Sequence, residues 1–184
     1  MTEEMIDLLL PDGTPLGRAK AKSLVHRDGD LHRTAHLWIV TPDKRVLLQL
    51  RASTKVNHPS LWDVSVAGHV DAGETAVEAA IREAREELGI ALRADELRHI
   101  ATLRERVVIE EGIYVDNEIE EVYLVRRDVD RAALVLQASE VDDVALVPLD
   151  QFRERVAERD ATMVEHWEEY EMVAAQVERD DAPR

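Results

Sequence analysis

Cysteine is absent from the 184 residues of this sequence. Its absence excludes a disulfide framework, a thiolate metal site and a cysteine nucleophile. Long apolar runs are missing too, since none approaches the ~20 residues that a helix needs to span a bilayer. The first residues, Met1-Thr-Glu-Glu-Met5, are acidic where a secretory signal is basic. We therefore expect a cytoplasmic protein that forms a single domain over residues 1–184.

Basic residues are also scarce. The chain has 23 lysines and arginines against 39 aspartates and glutamates, a formal net charge of −16. Nucleic acids and anionic membranes are bound through lysine and arginine, so neither is expected as a partner. A carboxylate-rich protein also repels phosphorylated substrates unless divalent cations lie between the two. Phosphate chemistry by this chain would therefore require a metal, and the alternative is that the charge only keeps the protein soluble.

Strand and helix patterns are mixed without a regular alternation, which indicates an α+β or α/β sandwich. We expect an N-terminal strand and turn in residues 1–30, a core at about 30–160 and a helical region at 150–180. Predicted strands lie at residues 5–10, 36–40, 45–50, 62–67, 101–108, 121–125 and 144–147. The second and third of these form a predicted hairpin. Loops are predicted at residues 26–32, 51–60 and around 110–112.

The clearest predicted helix spans residues 75–88. Thr75 and Glu78 form a capping-box pattern, and Gly89 stands where a helix usually ends. Apolar residues recur at helical spacing and define a buried face. They are Val77, Ala80, Ile81, Ala84 and Leu88.

Three carboxylates share one face of this helix, because Glu83, Glu86 and Glu87 stand at i, i+3 and i+4. Clustered like charges repel, so an isolated helix has no reason to place them together. A hard cation such as Mg²⁺ or Mn²⁺ supplies the reason, since it takes oxygen ligands and keeps water and substrate phosphate in its shell. Arg82 lies one turn from Glu86 and can hold it in place.

The segment before the helix contains Gly68 and Gly73, which let the backbone approach a metal or a phosphate. The helix N-terminus adds amides that favour anions. The alternative interpretation is a solvated helix rich in glutamate and arginine. It explains the exposed charges of the helix, but not the two glycines, Glu74 and the three clustered carboxylates together.

Residues 68–90 resemble the Nudix box, G-x5-E-x7-R-E-U-x-E-E-x-G-U, where U is a bulky aliphatic residue. The matching positions are Gly68, Glu74, Arg82, Glu83, Glu86, Glu87, Gly89 and Ile90. Ala84 departs from the pattern by being small, and its spacing places it toward the core, where it would alter packing rather than chemistry. The resemblance implies an α/β/α sandwich, in which a mixed sheet lies between helices and the box forms loop, helix and loop.

The resemblance also implies roles for these residues. A Nudix enzyme hydrolyses a nucleoside diphosphate linked to another moiety, with Mg²⁺ or Mn²⁺ as cofactor. Carried onto this chain, the metal ligands would be Glu83, Glu86, Glu87 and the carbonyl of Gly68. Arg82 would orient them, and Glu74 would be an auxiliary carboxylate.

Roughly residues 5–150 resemble the Nudix branch that also contains type I isopentenyl-diphosphate isomerases. The matching segments are His26…Leu31-His32, Leu47–Ala52, Pro59–Trp62, Gly68-His69 and Val115-Asp-Asn-Glu-Ile119. The resemblance implies a second metal site formed by His26, His32, His69, Asp116 and Glu118. The first two histidines are one residue closer together than in the isomerases, and the alternative is that the histidines are capped or core residues.

Two departures favour hydrolysis over isomerisation. The isomerases need a cysteine immediately before the Gly-His pair, where this chain has Ala67. Loss of the thiol removes one of the acid/base groups that must flank an isoprenoid. The isomerases also lose much of the carboxylate triad, whereas this chain keeps all of it.

Further candidates lie outside the box. Glu140 falls in a predicted loop before the strand at 144–147, and many Nudix enzymes place a general base or an extra ligand in such a loop. Glu118 is a similar candidate. Arg51 and Lys55 are the nearest basic residues for a phosphate contact, and the alternative is that both are plain surface.

The sequence therefore predicts a Nudix pyrophosphohydrolase that acts on a small-molecule diphosphate. Metal ions would neutralise the diphosphate and lower the pKa of a bound water. A carboxylate, Glu86, Glu118 or Glu140, would accept the proton before hydroxide attacks phosphorus. The alternatives are an isomerase and a non-catalytic nucleotide-sensing module. The helical region at 150–179 is a candidate homodimer interface.

Overall fold

The computed structural model describes residues 3–109 and 114–180. Its helices are α1 (Lys22–Asp28), α2 (Ala76–Leu88), α3 (Leu149–Ala157) and α4 (Trp167–Arg179). Its strands are β1 (Met5–Leu9), β2 (Pro15–Ala21), β3 (His32–Val40), β4 (Arg45–Arg51), β5 (Trp62–Asp63), β6 (Val66–His69), β7 (Arg98–Ile109), β8 (Tyr114–Arg126) and β9 (Val141–Pro148).

The main sheet has seven strands and is mixed. Its central order is β5-β4-β3-β8-β7, with β6 paired to β3 and β9 paired to β4. The β3–β8 pair is parallel and runs from His32↔Glu118 to Val40↔Arg126, whereas the other pairs are antiparallel. Strands β1 and β2 form a separate antiparallel pair.

Strand β3 divides the core because its side chains alternate between the two faces of the sheet. Ala35, Leu37 and Ile39 pack with α2 on one face. Trp38 and Val40 pack with α3 and α4 on the other. Helices therefore cover both faces of a mixed sheet, which confirms the predicted α+β sandwich.

The box helix begins and ends as its sequence predicts. Thr75 is the N-cap, with both hydrogen bonds of the capping box to Glu78 present. Gly89 is the C-cap in the left-handed conformation, at φ 71°. Ala84 is fully buried in the core beneath the sheet, which confirms its predicted orientation.

Other predicted elements differ from those observed. The sequence predicts a loop at residues 26–32, which is wrong at both ends, because helix α1 ends at Asp28 and β3 begins at His32. The predicted strand at 62–67 is two short strands, since the Ser65 hydroxyl donates to Leu47 O at 2.6 Å and accepts from Ile39 N at 2.9 Å. The predicted hairpin is present, although β4 pairs along most of its length with β9.

The C-terminal helical region is two helices rather than one, because residues 158–166 separate α3 from α4. The predicted strand at 121–125 begins earlier, at Tyr114. The predicted loop around residues 110–112 lies outside the described residues. In the part of the chain that the structure describes, no helix is long and apolar enough to cross a membrane.

A buried polar contact ties α4 to the sheet. The Glu169 carboxylate accepts from the Trp38 indole at 2.6 Å and lies 2.8 Å from Nδ1 of His36. Burial alone would lower the pKa of His36, but the charge of Glu169 raises it well above 6.5. Burial likewise favours the neutral form of Glu169, yet His36 lowers its pKa below 4.5. The two groups are therefore an ion pair at neutral pH.

We predict that Glu169→Gln lowers the free energy of unfolding at pH 7 by about 3 kcal/mol, because it leaves a buried imidazolium without its counter-charge. Urea denaturation measures the difference. The adjacent and exposed Glu168→Gln is the matched control and is expected to have little effect.

The difference between wild type and Glu169→Gln should depend on pH. The lowered pKa of Glu169 gives stability above pH 4.5 that is lost as the pH falls through the folded value. The raised pKa of His36 gives stability below pH 6.5 that is lost as the pH rises through the folded value. A pH-independent difference would contradict the ion pair.

Candidate active site and metal centres

The three box carboxylates differ in their surroundings. Glu87 is buried and its Oε2 has no hydrogen-bond partner among the described residues. Burial first, and then the charges of Glu83 and Glu140, raise the pKa of Glu87 well above 4.5. Burial also raises the pKa of Glu83. Glu86 is half exposed and lies 3.4 Å from Arg82.

Gly68 is required by its contact with Glu83. A Cβ at position 68 would overlap the carboxyl group of Glu83. Gly68 lies on β6, opposite Ala35 of β3. The absence of a side chain therefore lets the carboxylate of the helix reach the backbone of the strand. Gly73, in the following loop, has a positive φ of 84°, which glycine adopts readily.

Arg82 holds the loop and the helix together. Its guanidinium bonds both oxygens of Glu74 at 3.1 and 3.0 Å, and donates to the carbonyl of His69 at 2.9 Å. It also bonds Glu83 at 2.6 Å and contacts Glu86 at 3.4 Å. Burial lowers the pKa of Arg82, but its carboxylate partners more than offset this and raise it. The predicted Arg82–Glu86 pair is therefore present, as part of a larger network.

The loop that carries Glu140 is attached to the C-terminus of α2. The amides of Val135 and Gln137 donate to the last carbonyls of the helix, those of Leu88 and Glu87, at 3.1 and 3.0 Å. These bonds satisfy carbonyls that a helix end leaves unpaired. Glu140 forms a close ion pair with Lys55. The loop thus brings a fourth carboxylate close enough to influence the pKa of Glu87.

A second cluster lies on the opposite face of the sheet, next to β3 and β8. His26, His32, His69 and Glu118 each offer a ligand atom within 4.8 Å of the others. The Nε2 atoms of His26 and His69 are 2.9 Å apart, and His32 Nε2 is 3.2 Å from Glu118. Asp116 is outside the group and lies 2.9 Å from Nδ1 of His26.

The cluster has the outer contacts that orient metal ligands. His32 Nδ1 is 3.0 Å from the carbonyl of Asp30, which fits a Nδ1–H tautomer with Nε2 directed into the cluster. Thr34 donates to Glu118 at 3.2 Å. Burial lowers the pKa of His69 well below 6.5 and keeps it neutral. Burial would raise the pKa of Glu118, but the adjacent imidazole of His32 lowers it.

Carboxylate oxygens and imidazole nitrogens are both donor atoms that divalent cations accept as ligands. At the box, the buried and unpartnered Oε2 of Glu87 is an oxygen that a cation would satisfy. At the second cluster, buried His32 Nε2 makes no well-aligned hydrogen bond among the described residues. Each set therefore contains a buried polar atom that the described part of the chain leaves without a hydrogen bond.

Arg51 and Lys55 reach the same region with their charges already paired. Arg51 bonds Asp63 at 2.8 Å and the carbonyl of Asn57 at 3.2 and 3.1 Å. Lys55 pairs with Glu140. A phosphate contact by either residue would therefore require it to exchange a protein partner.

One cavity of about 650 Å³ brings most of these residues together. Its lining includes Gly68, Arg82, Glu83, Glu86, Glu87, His26, His69, Asp116, Glu118, Glu140, Arg51 and Lys55. Two predicted site residues lie behind it: Glu74 is bound to Arg82, and His32 is completely buried in its cluster. The volume is within the usual range for small-molecule sites.

The cavity also contains residues that the sequence did not assign to the site. Asp63, Glu105 and His166 line it, and His36 lies beside them. For part of this set, the alternation of polar side chains along a strand is a sequence signal that could have identified the site. His32, Thr34 and His36 share one face of β3, as Glu118 and Glu120 share one face of β8. His166 lies outside any strand, immediately before α4, and no local pattern marks it.

Comparison with known proteins agrees with the fold and the box. The family model described as the NUDIX domain matches residues 30–167. Nudix hydrolase 3 of Arabidopsis thaliana is 39% identical over 167 residues, which are 89% of this chain but 22% of that longer protein. Isopentenyl-diphosphate Delta-isomerase 1 of Aromatoleum aromaticum is 31% identical over 157 residues, covering 85% of this chain and 84% of that protein.

Among solved structures, that of DR0079 from Deinococcus radiodurans superposes with a TM-score of 0.68 at 21% identity. The match covers 96% of this chain and 98% of that one, and it supports the fold. The family model spans most of the chain, and the relatives include proteins named as hydrolases and as isomerases. The chain therefore belongs to the Nudix family, in the part of it that resembles isopentenyl-diphosphate isomerases.

Proposed function

We propose that this protein is a Mg²⁺- or Mn²⁺-dependent pyrophosphohydrolase that cleaves the diphosphate linkage of a nucleoside diphosphate derivative. The observation that carries the proposal is the buried Oε2 of Glu87, unpartnered among the described residues and placed beside Glu83. A buried carboxylate without a partner is costly unless a cation compensates it. Family membership supports hydrolysis of pyrophosphate bonds in general.

In this proposal Glu83, Glu86, Glu87 and the carbonyl of Gly68 hold the metal. Bound there, a divalent cation would neutralise the diphosphate and lower the pKa of a water. Arg82 positions two of the carboxylates through its bonds to Glu83 and Glu86. Glu74 holds Arg82 in turn.

Glu86 is the strongest candidate for the group that accepts the proton of the attacking water. It is the most exposed of the three box carboxylates, and its contact with Arg82 is long, at 3.4 Å. Glu118 is a weaker base, because His32 lowers its pKa. Glu140 would first have to leave Lys55.

We predict that Glu87→Gln and Glu86→Gln each lower kcat for Mg²⁺-dependent hydrolysis at least about 100-fold, since each removes a charge that the metal or the water requires. Release of orthophosphate and pyrophosphate is measured over nucleoside triphosphates, nucleotide sugars and dinucleotides. Glu78→Gln is the matched control on the same helix, because glutamine also completes a capping box.

Full activity in both folded variants would show that the triad is not the catalytic centre. Ligand-induced stabilisation without turnover of any compound would instead support a non-catalytic nucleotide-sensing module.

We predict that Gly68→Ala lowers activity at least about 10-fold, because the added Cβ displaces the carboxylate of Glu83. Gly73→Ala is the comparison. It strains a left-handed residue by about 1 kcal/mol but meets no atom within 4 Å. Thermal unfolding of both variants distinguishes a loss of stability from a displacement of the Glu83 carboxylate in a folded protein. Equal loss of activity in the two would argue against a specific role for Gly68.

The histidine cluster supports a second metal site in the proposed enzyme. We infer that His26, His32, His69 and Glu118 hold it, with the carboxylate of Asp116 close to Nδ1 of His26. The same cluster favours a second candidate function, the isomerisation of isopentenyl diphosphate. Two features argue against that function: Ala67 replaces the catalytic thiol, and the carboxylate triad is complete.

We predict two classes of Mn²⁺ site in calorimetric titration. His32→Ala should abolish one class and leave the other, and Glu87→Gln should do the reverse. His99→Ala is the control, since His99 is a half-exposed imidazole on β7 that lines neither cluster. Two undiminished classes in His32→Ala would remove the second site from the proposal.

A further inference from the structure

We infer that the cavity contains a subsite for a terminal polyhydroxylated group, such as a pentosyl group, attached to the diphosphate. The subsite is formed by His36, Asp63, Glu105 and His166, and we call it the polyol subsite. The inference rests on the proposed hydrolase function and names one end of its substrate.

The four residues come together from separate elements at one end of the cavity. His36 is on β3, Asp63 on β5 and Glu105 on β7, and His166 immediately precedes α4. All four line the same cavity as the box carboxylates. Ala67, beside the Gly-His pair, is opposite His36 in the β3–β6 ladder. The subsite therefore adjoins the strand that carries Gly68.

The imidazoles of the subsite retain hydrogen-bonding capacity. His166 Nδ1 is 3.6 Å from Glu105, and its Nε2 is 3.8 Å from Asp63. Both distances exceed those of hydrogen bonds, so neither contact saturates an N–H group. His36 uses Nδ1 for Glu169, which leaves Nε2 for another partner. A hydroxyl can accept from such an N–H and donate to a carboxylate at the same time.

A buried carboxylate behind the imidazoles is also unsatisfied. Glu120 is 3% exposed, and its Oε1 has no hydrogen-bond partner among the described residues. Glu120 lies within 4.8 Å of ligand atoms of His36 and Glu169, and equally of Glu105 and His166. Glu120 is thus a common neighbour of His36 and His166, in the layer behind the residues that line the cavity.

The charges of the subsite favour a neutral polar ligand over a cation. Burial lowers the pKa of His166, but Glu105 and Asp63 raise it to about 9, and His36 is also protonated. These two imidazolium groups and Arg51 balance the charges of Asp63, Glu105 and Glu169, while burial raises the pKa of Glu120 and favours its neutral form. A cationic ligand therefore gains little net attraction, whereas hydroxyl groups match the alternating donors and acceptors.

An isoprenoid chain does not fit the same surface. Among the described residues that line the cavity, the aliphatic side chains are Val56, Ala67 and Val107. An apolar chain would cover the charged groups without replacing the hydrogen bonds that they make with water. The subsite thus provides a reason, independent of the missing thiol, for this chain to differ from its isomerase-named relatives.

Aromatic packing bounds the subsite on the side of Trp38. His36 is followed along β3 by Trp38, which is fully buried against Tyr170 at 5.5 Å between ring centroids. Neither ring lines the cavity. We therefore place the terminal group of the substrate, rather than its nucleoside, at this end of the cavity.

The test uses two substrates that share their nucleotide. ADP-ribose and the n-pentyl ester of ADP both carry a terminal five-carbon group, with and without hydroxyls. The same comparison is made with the cytidine analogues. The wild-type protein, with Mg²⁺ or Mn²⁺, is expected to show a kcat/KM at least 10-fold higher for the pentosyl compound of a hydrolysed pair. Isopentenyl diphosphate is included and is expected to be neither hydrolysed faster than the pentosyl compound nor isomerised.

Variants of the subsite residues then test which side chains cause the preference for the pentosyl compound. Glu105→Leu and His166→Phe are expected to reduce the pentosyl-to-pentyl ratio of kcat/KM at least 10-fold while retaining hydrolysis of the pentyl ester. Glu105→Gln, which keeps a hydrogen-bonding group, should restore part of the ratio. Glu121→Leu is the matched control, because Glu121 lies on the neighbouring strand β8, outside the cavity, where it bonds His99 and Thr102.

The outcomes separate the two proposals. Equal kcat/KM for the pentosyl and pentyl compounds, or an unchanged ratio in both Glu105→Leu and His166→Phe, overturns the polyol subsite and leaves the hydrolase standing. Failure to hydrolyse any compound of either pair overturns the subsite, and the proposed function is overturned with it only when the nucleoside triphosphates, nucleotide sugars and dinucleotides are not hydrolysed either. A higher kcat/KM for isopentenyl diphosphate than for the pentosyl compounds also overturns the subsite.

Discussion

The guanidinium of Arg82 is the contact on which the site depends. It joins Glu74 of the loop, the carbonyl of His69 at the end of β6, and Glu83 and Glu86 of the helix. These groups belong to three consecutive segments of the chain, so one side chain cross-links the strand, the loop and the helix. A planar group with five donors can satisfy all of them at once, which a lysine cannot. The network also offsets part of the repulsion among the carboxylates.

The central strand β3 explains why two candidate metal sites lie so close together. One face of β3 packs on the box helix, whose Glu83 contacts Gly68 on the adjacent strand. The other face carries His32, Thr34 and His36, next to Glu118 and Glu120 of β8. Because Gly68 and His69 are successive residues of β6, one short strand presents its backbone to the first site and an imidazole to the second.

The residues of the box helix and their roles could be predicted from the sequence, whereas the pairing of distant strands could not. The box helix could be predicted because its cap, buried face and carboxylates all repeat within residues 75–89. The register of β3 with β8 joins residues about 86 positions apart, such as His32 and Glu118, and no local pattern specifies it. Helix α1 has seven residues and is positioned by packing of Val25 against Ile6 and Leu8, so its sequence alone does not favour a helix.

The polar residues around His36 were missed for a related reason. His36 and Glu120 alternate correctly for one face of a strand, but their neighbour Glu169 arrives from α4 and His166 from the segment before it. A cluster assembled from three distant segments has no spacing to recognise. Its members are visible only once the sheet and α4 are in place.

The net charge of −16 is reflected in the excess of acidic residues that line the cavity. Among the described residues that line it, ten are aspartate or glutamate and four are lysine or arginine. Each of the four already has an acidic partner: Lys22 pairs with Glu4, Arg51 with Asp63, Lys55 with Glu140, and Arg82 with Glu74 and Glu83. A diphosphate entering this cavity therefore meets an excess of negative charge with no uncommitted lysine or arginine among the described lining. Divalent cations on the carboxylates would reverse that balance where the phosphates lie, and the neutral polyol subsite would require none.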